Sequence, residues 1–312
     1  MGEMDPASSI PPPPAGAVAC KRHPGTQTML RCTRCGDPIC PDCMRPAAVG
    51  YQCPSCAKGS RQEVIQPGRT IGTAARGASV TAFLLIAIGV VYAISVAQGG
   101  AASLIDGPPI DVLVKMGANV PALIAAGEYW RLLTSMFLHA SLLHLAFNGY
   151  ALYVIGTVIE AELGRWRYLA IYLVAGLFSS AAVYMFSNVF VPTVGASGAI
   201  FALFGVFVAY NYRRRHNPFY AARMRSMAIL IAINLVFTFG VASISRAGHI
   251  GGLVAGVIIG LAFDGFGERV SRAHAFTASI VGLAVLTVVM VVVRTGQIPP
   301  ESASIFEFLL NR

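Results

Sequence analysis

The sequence predicts an all-α polytopic membrane domain preceded by a small, polar, cysteine-rich module. Three observations predict it. Of the 312 residues, 55% are hydrophobic and only 12% are charged, against about 25% charged in an ordinary soluble domain. Mean hydropathy is +0.65. The apolar residues are also segregated: residues 77–312 hold nearly all the long apolar runs, while residues 1–76 are polar and proline-rich and hold all seven cysteines. Together these exclude a disordered chain and a single soluble globular domain. The net charge of +9 does not point to nucleic acid, because no basic patch is interleaved with aromatics. In a membrane protein, excess Lys and Arg collects in cytoplasmic loops.

Residues 1–19 read as a disordered tail with a proline run at Pro11–Pro14. Residues 20–57 follow a ligand pattern: Cys20, His23, Cys32, Cys35, Cys40, Cys43, Cys53 and Cys56 fall into four pairs, each with two residues between its members. Paired soft donors at this spacing suit tetrahedral zinc, and eight donors make two closed structural sites. A disulfide framework is disfavoured, since seven cysteines are odd in number and the expected compartment is reducing. Residues 58–76 read as a basic linker.

Seven stretches are long enough, or nearly so, to cross a hydrocarbon core, which takes about 20 apolar residues. They run over about 78–98, 140–160, 168–187, 196–212, 226–245, 247–263 and 274–293. None carries Lys, Arg, Asp or Glu in its central part. The sixth is short and glycine-rich, as for a helix packed inside a bundle. Residues 296–312 read as a tail. The first apolar run begins far from Met1, so no signal peptide is expected.

With the N-terminus inside, the inner segments hold Lys58, Arg61, Arg69, Arg76, Arg165, Arg167, Arg213, Arg214, Arg215, Arg223, Arg225, Arg269 and Arg272. The outer segments hold Lys115, Arg131, Arg246, Arg294 and Arg312. The bias predicts an inside N-terminus and an outside C-terminus, in a cell membrane expected to be bacterial. The connection at 99–139 is semi-apolar and broken by Pro108, Pro109 and Pro121. Tyr129 and Trp130 suit a membrane interface, so this segment is expected to lie at the membrane surface.

Polar residues inside apolar helices carry the chemistry of such bundles. His144 and Asn148 are four apart and share a helix face. Ser197 lies between Gly195 and Gly198 where a loop enters a helix, so the first backbone N–H groups are free to face whatever it attacks. His249 opens a helix whose glycines recur at 248, 252, 256 and 260. That smooth face allows close backbone approach, with Gly198, Ala202, Gly205 and Ala209 offering a matching surface. All four polar residues fall toward the outer half of the membrane under this topology. A histidine within about 2.6–3.2 Å of a serine can activate it as a nucleophile. No Asp or Glu is well placed to complete a triad, so a Ser/His dyad is expected.

These residues resemble the rhomboid intramembrane serine proteases. The resemblance covers about residues 77–295 and rests on Trp130–Arg131, HASLLHLAFN at His139–Asn148, GASG at Gly195–Gly198 and the glycine run around His249. It implies a six-helix bundle plus a seventh C-terminal helix. It also implies Ser197 as nucleophile, His249 as general base and acid, and His144, Asn148 and the Ser197 N–H as the oxyanion site. Transmembrane proteins are the implied substrates, and catalysis needs no cofactor. Family members often carry Tyr four residues after the serine; here it is Phe201, which retains stacking and loses the hydroxyl. The N-terminal module resembles B-box-type zinc fingers, which implies Cys20, His23, Cys40 and Cys43 on one ion and Cys32, Cys35, Cys53 and Cys56 on the other. A cytoplasmic protein partner is expected for it. Two other readings are a non-catalytic member of the fold that binds membrane helices and a membrane-anchored zinc-finger adaptor. A pseudoenzyme has no need of Ser197 and His249, and an anchor has no need of seven helices.

Overall fold

A computed structural model describes residues 16–47, 49–59, 79–240, 245–263 and 271–311. The proline run, residues 60–76 of the linker with Arg61, Arg69 and Arg76, and Arg269 and Arg312 lie outside the described residues. The chain divides into two units, Met1–Arg76 and Gly77–Arg312.

In the first unit, strands β1 (Val18–Ala19) and β2 (Gln27–Thr28) form one antiparallel hairpin, and β3 (Arg45–Pro46) and β4 (Tyr51–Gln52) form another. A 3-10 turn covers Pro41–Cys43, and helix α1 covers Pro54–Gly59. The buried cluster consists of Cys20, Cys32, Ile39, Cys40, Cys43 and Cys53. One aliphatic residue among five cysteines is too small a core to hold two-residue strands by hydrophobic burial alone.

The second unit is helical. Helix α2 (Val80–Gly99) is followed by four short helices: α3 (Ser103–Asp106), α4 (Ile110–Lys115), α5 (Pro121–Ala125) and α6 (Arg131–Thr134). Then come α7 (Leu142–Leu163), α8 (Arg165–Phe186), α9 (Ser197–Tyr212), α10 (Pro218–Gly240), α11 (Arg246–Ala262), α12 (Arg272–Thr295) and α13 (Ser302–Leu310). Helices α2, α7, α8, α10 and α12 are long and apolar enough to cross a membrane. Helices α9 and α11 have 16 and 17 residues, about 24–26 Å at 1.5 Å per residue. Helix α9 is buried almost all round, from Gly198 to Asn211, and packs on α7, α8, α10 and α11. The bundle is therefore built around α9, while α10 and α12 turn Ile229, Val236, Val285, Val288 and Val292 outward. That apolar exterior is what a lipid-facing helix needs.

The α9–α11 seam is the most extensive helix–helix contact among the described residues. A Cβ on Gly252 would stand 2.0 Å from the Gly198 carbonyl oxygen, and one on Gly256 would stand 1.9 Å from that of Ala202. From the other side, a Cβ on Gly205 would stand 2.5 Å from the Leu253 carbonyl oxygen. Gly260 meets Val206 and Ala209, while Gly248 faces Val183 and Ser179 on α8. With no water to expel in a bilayer, van der Waals contact of this kind holds helices together.

Three parts differ from the sequence reading. Helix α10 spans 218–240 rather than 226–245, because the Asn217 side chain caps it by accepting from the Phe219 N–H at 2.9 Å and Pro218 suits a first turn. Residues 241–244 lie outside the described residues. The segment at 99–139 is a folded cap: buried Arg131 donates to the Val114 and Ala118 carbonyls at 2.6 and 3.2 Å, and pairs with Glu128. The C-terminal tail carries α13, whose Phe306 joins the buried cluster of Leu113, Val120, Leu123 and Leu138. At the opposite end of α7, Glu160 accepts from the Val80 and Thr81 N–H groups and the Ser79 and Thr81 hydroxyls, capping α2.

Candidate active site

Ser197 is the first residue of α9, where its backbone N–H has no intrahelical acceptor. The loop before it turns at Gly195, whose φ of +135° is a conformation that favours glycine. The Gly195 N–H donates to the Ser135 carbonyl at 2.9 Å, tying this loop to the end of α6. His249 lies in the first turn of α11. Ser245 caps that turn, its hydroxyl accepting from the Gly248 N–H at 3.3 Å. The Ser179 hydroxyl on α8 donates to the Gly248 carbonyl at 2.7 Å, holding the backbone beside His249.

The close α9–α11 seam brings the two helix starts together, and His249 Nε2 stands 2.7 Å from Ser197 Oγ. The Phe201 ring, one turn along α9, stacks on the imidazole at 4.2 Å between centroids and 14° between planes. His249 is buried. Its other nitrogen, Nδ1, is 2.6 Å from Thr238 Oγ1 on α10.

The His144 ring lies against the Gly195 turn. A Cβ at Gly195 would sit 2.9 Å from His144 Nε2 and 3.6 Å from Ser197 Oγ, so the two side chains border one small space. Asn148, a turn further along α7, is buried, and its Nδ2 donor has no hydrogen-bond partner among the described residues. His139 is fully buried edge-on to His144 at 5.0 Å. Neither of its nitrogens has a hydrogen-bond partner among the described residues.

In the N-terminal unit, the ligand atoms of Cys20, His23, Cys40 and Cys43 lie within 4.8 Å of one another, as do those of Cys32, Cys35, Cys53 and Cys56. Both groups are able to hold a metal ion. The Cys20–Cys43 and Cys35–Cys53 sulfurs are 3.9 and 3.8 Å apart, far beyond a disulfide bond. Four sulfurs about 2.3 Å from a tetrahedral ion would be about 3.8 Å apart. His23 turns Nδ1 inward, 3.1 Å from Cys40 Sγ. Beside the second group, Lys21 forms a 2.7 Å ion pair with Asp37 and holds that carboxyl below its usual pKa.

Comparison with known proteins places the membrane unit in a family. A family model described as "Rhomboid domain" matches residues 126–265. The chain is 42% identical over 179 residues to "Rhomboid protease GluP" of Bacillus subtilis, covering 55% of this chain and 34% of that protein. It is 33% identical over 174 residues to "Rhomboid protease AarA" of Providencia stuartii, covering 48% and 62%. It is 32% identical over 136 residues to "Putative rhomboid protease YdcA" of Bacillus subtilis, covering 44% of this chain and 68% of that protein. The chain belongs to the rhomboid family. As a rhomboid, it spans about a third to two thirds of the length of these relatives. The matched region begins just before α6 and closes past α11. It contains His144, Asn148, Ser197 and His249, while α2, all of α12 and both metal-ligand groups lie outside it.

Two contacts of this rhomboid were not foreseen in the sequence, those of Ser179 and Thr238. Both residues sit in apolar runs, where a Ser or Thr hydroxyl ordinarily bonds back to its own helix. The Ser179 stretch has no helical repeat of polar residues to mark it; Asn234 and Thr238 do stand four apart, with Gly240 two residues beyond, a signal the sequence carried and the sequence reading passed over.

Proposed function

We propose that this protein is an intramembrane serine endopeptidase acting on transmembrane segments through Ser197 and His249. The observation that carries this reading is the 2.7 Å approach of His249 Nε2 to Ser197 Oγ, with Phe201 stacked on the imidazole. Ser197 Oγ attacks the scissile carbonyl carbon as its proton passes to His249 Nε2, forming a tetrahedral oxyanion. The Ser197 N–H, His144 and Asn148 donate to that oxyanion; the unpartnered Asn148 Nδ2 supports this, since a donor already in place stabilises charge without reorganisation. The His249 imidazolium then protonates the leaving amine, the C–N bond breaks, and an acyl-enzyme remains. Water attacks the acyl carbon, giving its proton to His249 Nε2. The carbon–oxygen bond to Ser197 then breaks, and Ser197 Oγ takes the proton back.

The arginine distribution supports an inside N-terminus, with the site opening toward the outer face. Eight thiol and imidazole donors at tetrahedral spacing support zinc in both N-terminal groups. Zinc held by these residues would cross-link the fold, and with four protein donors in each group the module would serve as a cytoplasmic docking or regulatory appendage.

Labelling with a serine-reactive fluorophosphonate in detergent, alongside cleavage of a reporter transmembrane substrate in vesicles, tests the reading. Wild type is expected to label and cleave. Ser197→Ala should do neither, and His249→Ala should lose both because an unassisted serine hydroxyl is a poor nucleophile at neutral pH. Cleavage by Ser197→Ala at the wild-type rate would overturn it.

A further inference from the structure

We propose that Thr238 is a positioning residue that sets the tautomer and orientation of His249, making a Ser197–His249–Thr238 relay across three helices. The inference rests on the protease reading above. Among the described residues of α10, Thr238 alone is buried, 1% exposed. The same helix turns Ile229, Ile233, Val236 and Phe239 outward. Met227, Leu230 and Ile231 of this helix pack on the core but stay partly exposed, so Thr238 is its one sealed polar side chain among the described residues; such a group needs a partner, and it has two. Thr238 Oγ1 is 2.7 Å from the Asn234 backbone carbonyl and 2.6 Å from His249 Nδ1.

A hydroxyl carries one proton, and a carbonyl only accepts. The Thr238 proton therefore belongs to the bond with Asn234, which leaves an Oγ1 lone pair facing Nδ1. Nδ1 must then carry the imidazole proton and donate it. Nε2 is left with its lone pair toward Ser197 Oγ at 2.7 Å, the form in which it accepts the serine proton. In the opposite tautomer Nε2–H would face the serine hydroxyl and could not take its proton, while the Thr238 hydroxyl would have to leave Asn234. The backbone of α10 thus selects the active tautomer.

An aspartate does this in a Ser-His-Asp triad and also stabilises the imidazolium by charge. No Asp or Glu bonds to His249 among the described residues. A threonine hydroxyl supplies the orientation without placing a carboxylate in an apolar bundle, where an ionised group is costly. Phe201 fixes the plane of the ring, and Thr238 fixes its rotation within that plane.

The test compares full-length wild type, Thr238→Val and Thr238→Ser in proteoliposomes. Cleavage of the reporter substrate is resolved into kcat and KM, with detergent thermal unfolding measured in parallel. Thr238→Val keeps the side chain's shape and removes the acceptor. It should lower kcat about 10–100-fold, the usual cost of losing an orienting partner, with KM within about twofold and a near-normal unfolding temperature. Thr238→Ser keeps the hydroxyl and should retain at least about a third of the wild-type kcat. Wild-type kcat in Thr238→Val would overturn the proposal. So would a raised KM at normal kcat, or equal losses in the Val and Ser variants. Failure of the protease reading itself is seen separately, as a wild type that neither labels nor cleaves.

Discussion

At the residue scale, the proposed protease site depends on groups prepared before substrate arrives. Ser197 needs a helix start with a free N–H, a glycine turn that admits His144, and a histidine held from both sides. The buried Asn148 Nδ2, unpartnered among the described residues, is an expense in a folded state unless something later uses it. An oxyanion that exists only in the transition state is such a user. Asn148→Ala is therefore expected to lower kcat by roughly 10²–10³ with little change in KM, as for loss of one oxyanion donor. The variant should unfold at the wild-type temperature or slightly above it, because it removes an unsatisfied donor. A raised KM at normal kcat in steady-state cleavage would assign Asn148 to substrate binding instead.

At the level of elements, the geometry of the dyad is a property of the α9–α11 seam. A methyl group at Gly256 would meet the Ala202 carbonyl oxygen at 1.9 Å, and backbone cannot yield as a side-chain end can. Gly282 on α12 has nothing within 4 Å of a would-be Cβ. Gly256→Ala should lower the unfolding temperature in detergent and cost about 1–3 kcal/mol. It should also lose most cleavage, because separating α9 from α11 separates Ser197 from His249. Gly282→Ala should be neutral or stabilising by up to about 1 kcal/mol with full cleavage; equal behaviour of the two variants in parallel melts would refute this account. The seam was legible in sequence because glycines spaced by four mark one helix face, and the starting positions of both helices carried the reactive side chains. The start of α10 was not, because hydropathy weighs apolar content while Asn217 and Pro218 set the boundary by hydrogen bonding and ring geometry. The cap at 99–139 was only partly legible: its helices of four to six residues are too short to stand alone and depend on bonds from Arg131 that no local pattern encodes. Thr238 was passed over for a related reason: Asn234 and Thr238 share a helix face, but the bond between them is what any membrane-helix threonine would make, and the second bond of Thr238 crosses to another helix.

For the whole molecule, the two units are held by different physics. The Gly77–Arg312 unit buries helix on helix around α9, and all four residues proposed to act on substrate lie within it. The N-terminal unit has almost no apolar core, its interior being five cysteines and Ile39. Spacing alone left the ligand pairing open. The fold gathers Cys20 and His23 with Cys40 and Cys43, and Cys32 and Cys35 with Cys53 and Cys56, as the B-box resemblance implied, because hairpin and turn bring alternate pairs together. If each group holds zinc, the free energy of metal binding is the free energy of folding for this unit. The isolated fragment 15–60 should take up two zinc ions per chain by elemental analysis and lose its structured circular-dichroism and NMR signals when a chelator removes them. One ion per fragment would contradict two four-ligand sites, and a fragment that stays folded without metal would contradict the proposed source of its stability. Removing residues 1–70 should leave cleavage of the reporter substrate within about threefold of wild type, since such a truncation removes none of the oxyanion donors and neither partner of the proton transfer, whose loss would cost 10² or more. What truncation should change is the choice or regulation of natural substrates, read as altered cleavage in cells at unchanged activity in vesicles. Complete loss of vesicle activity in a well-folded truncation would make the cysteine-rich unit part of the protease itself.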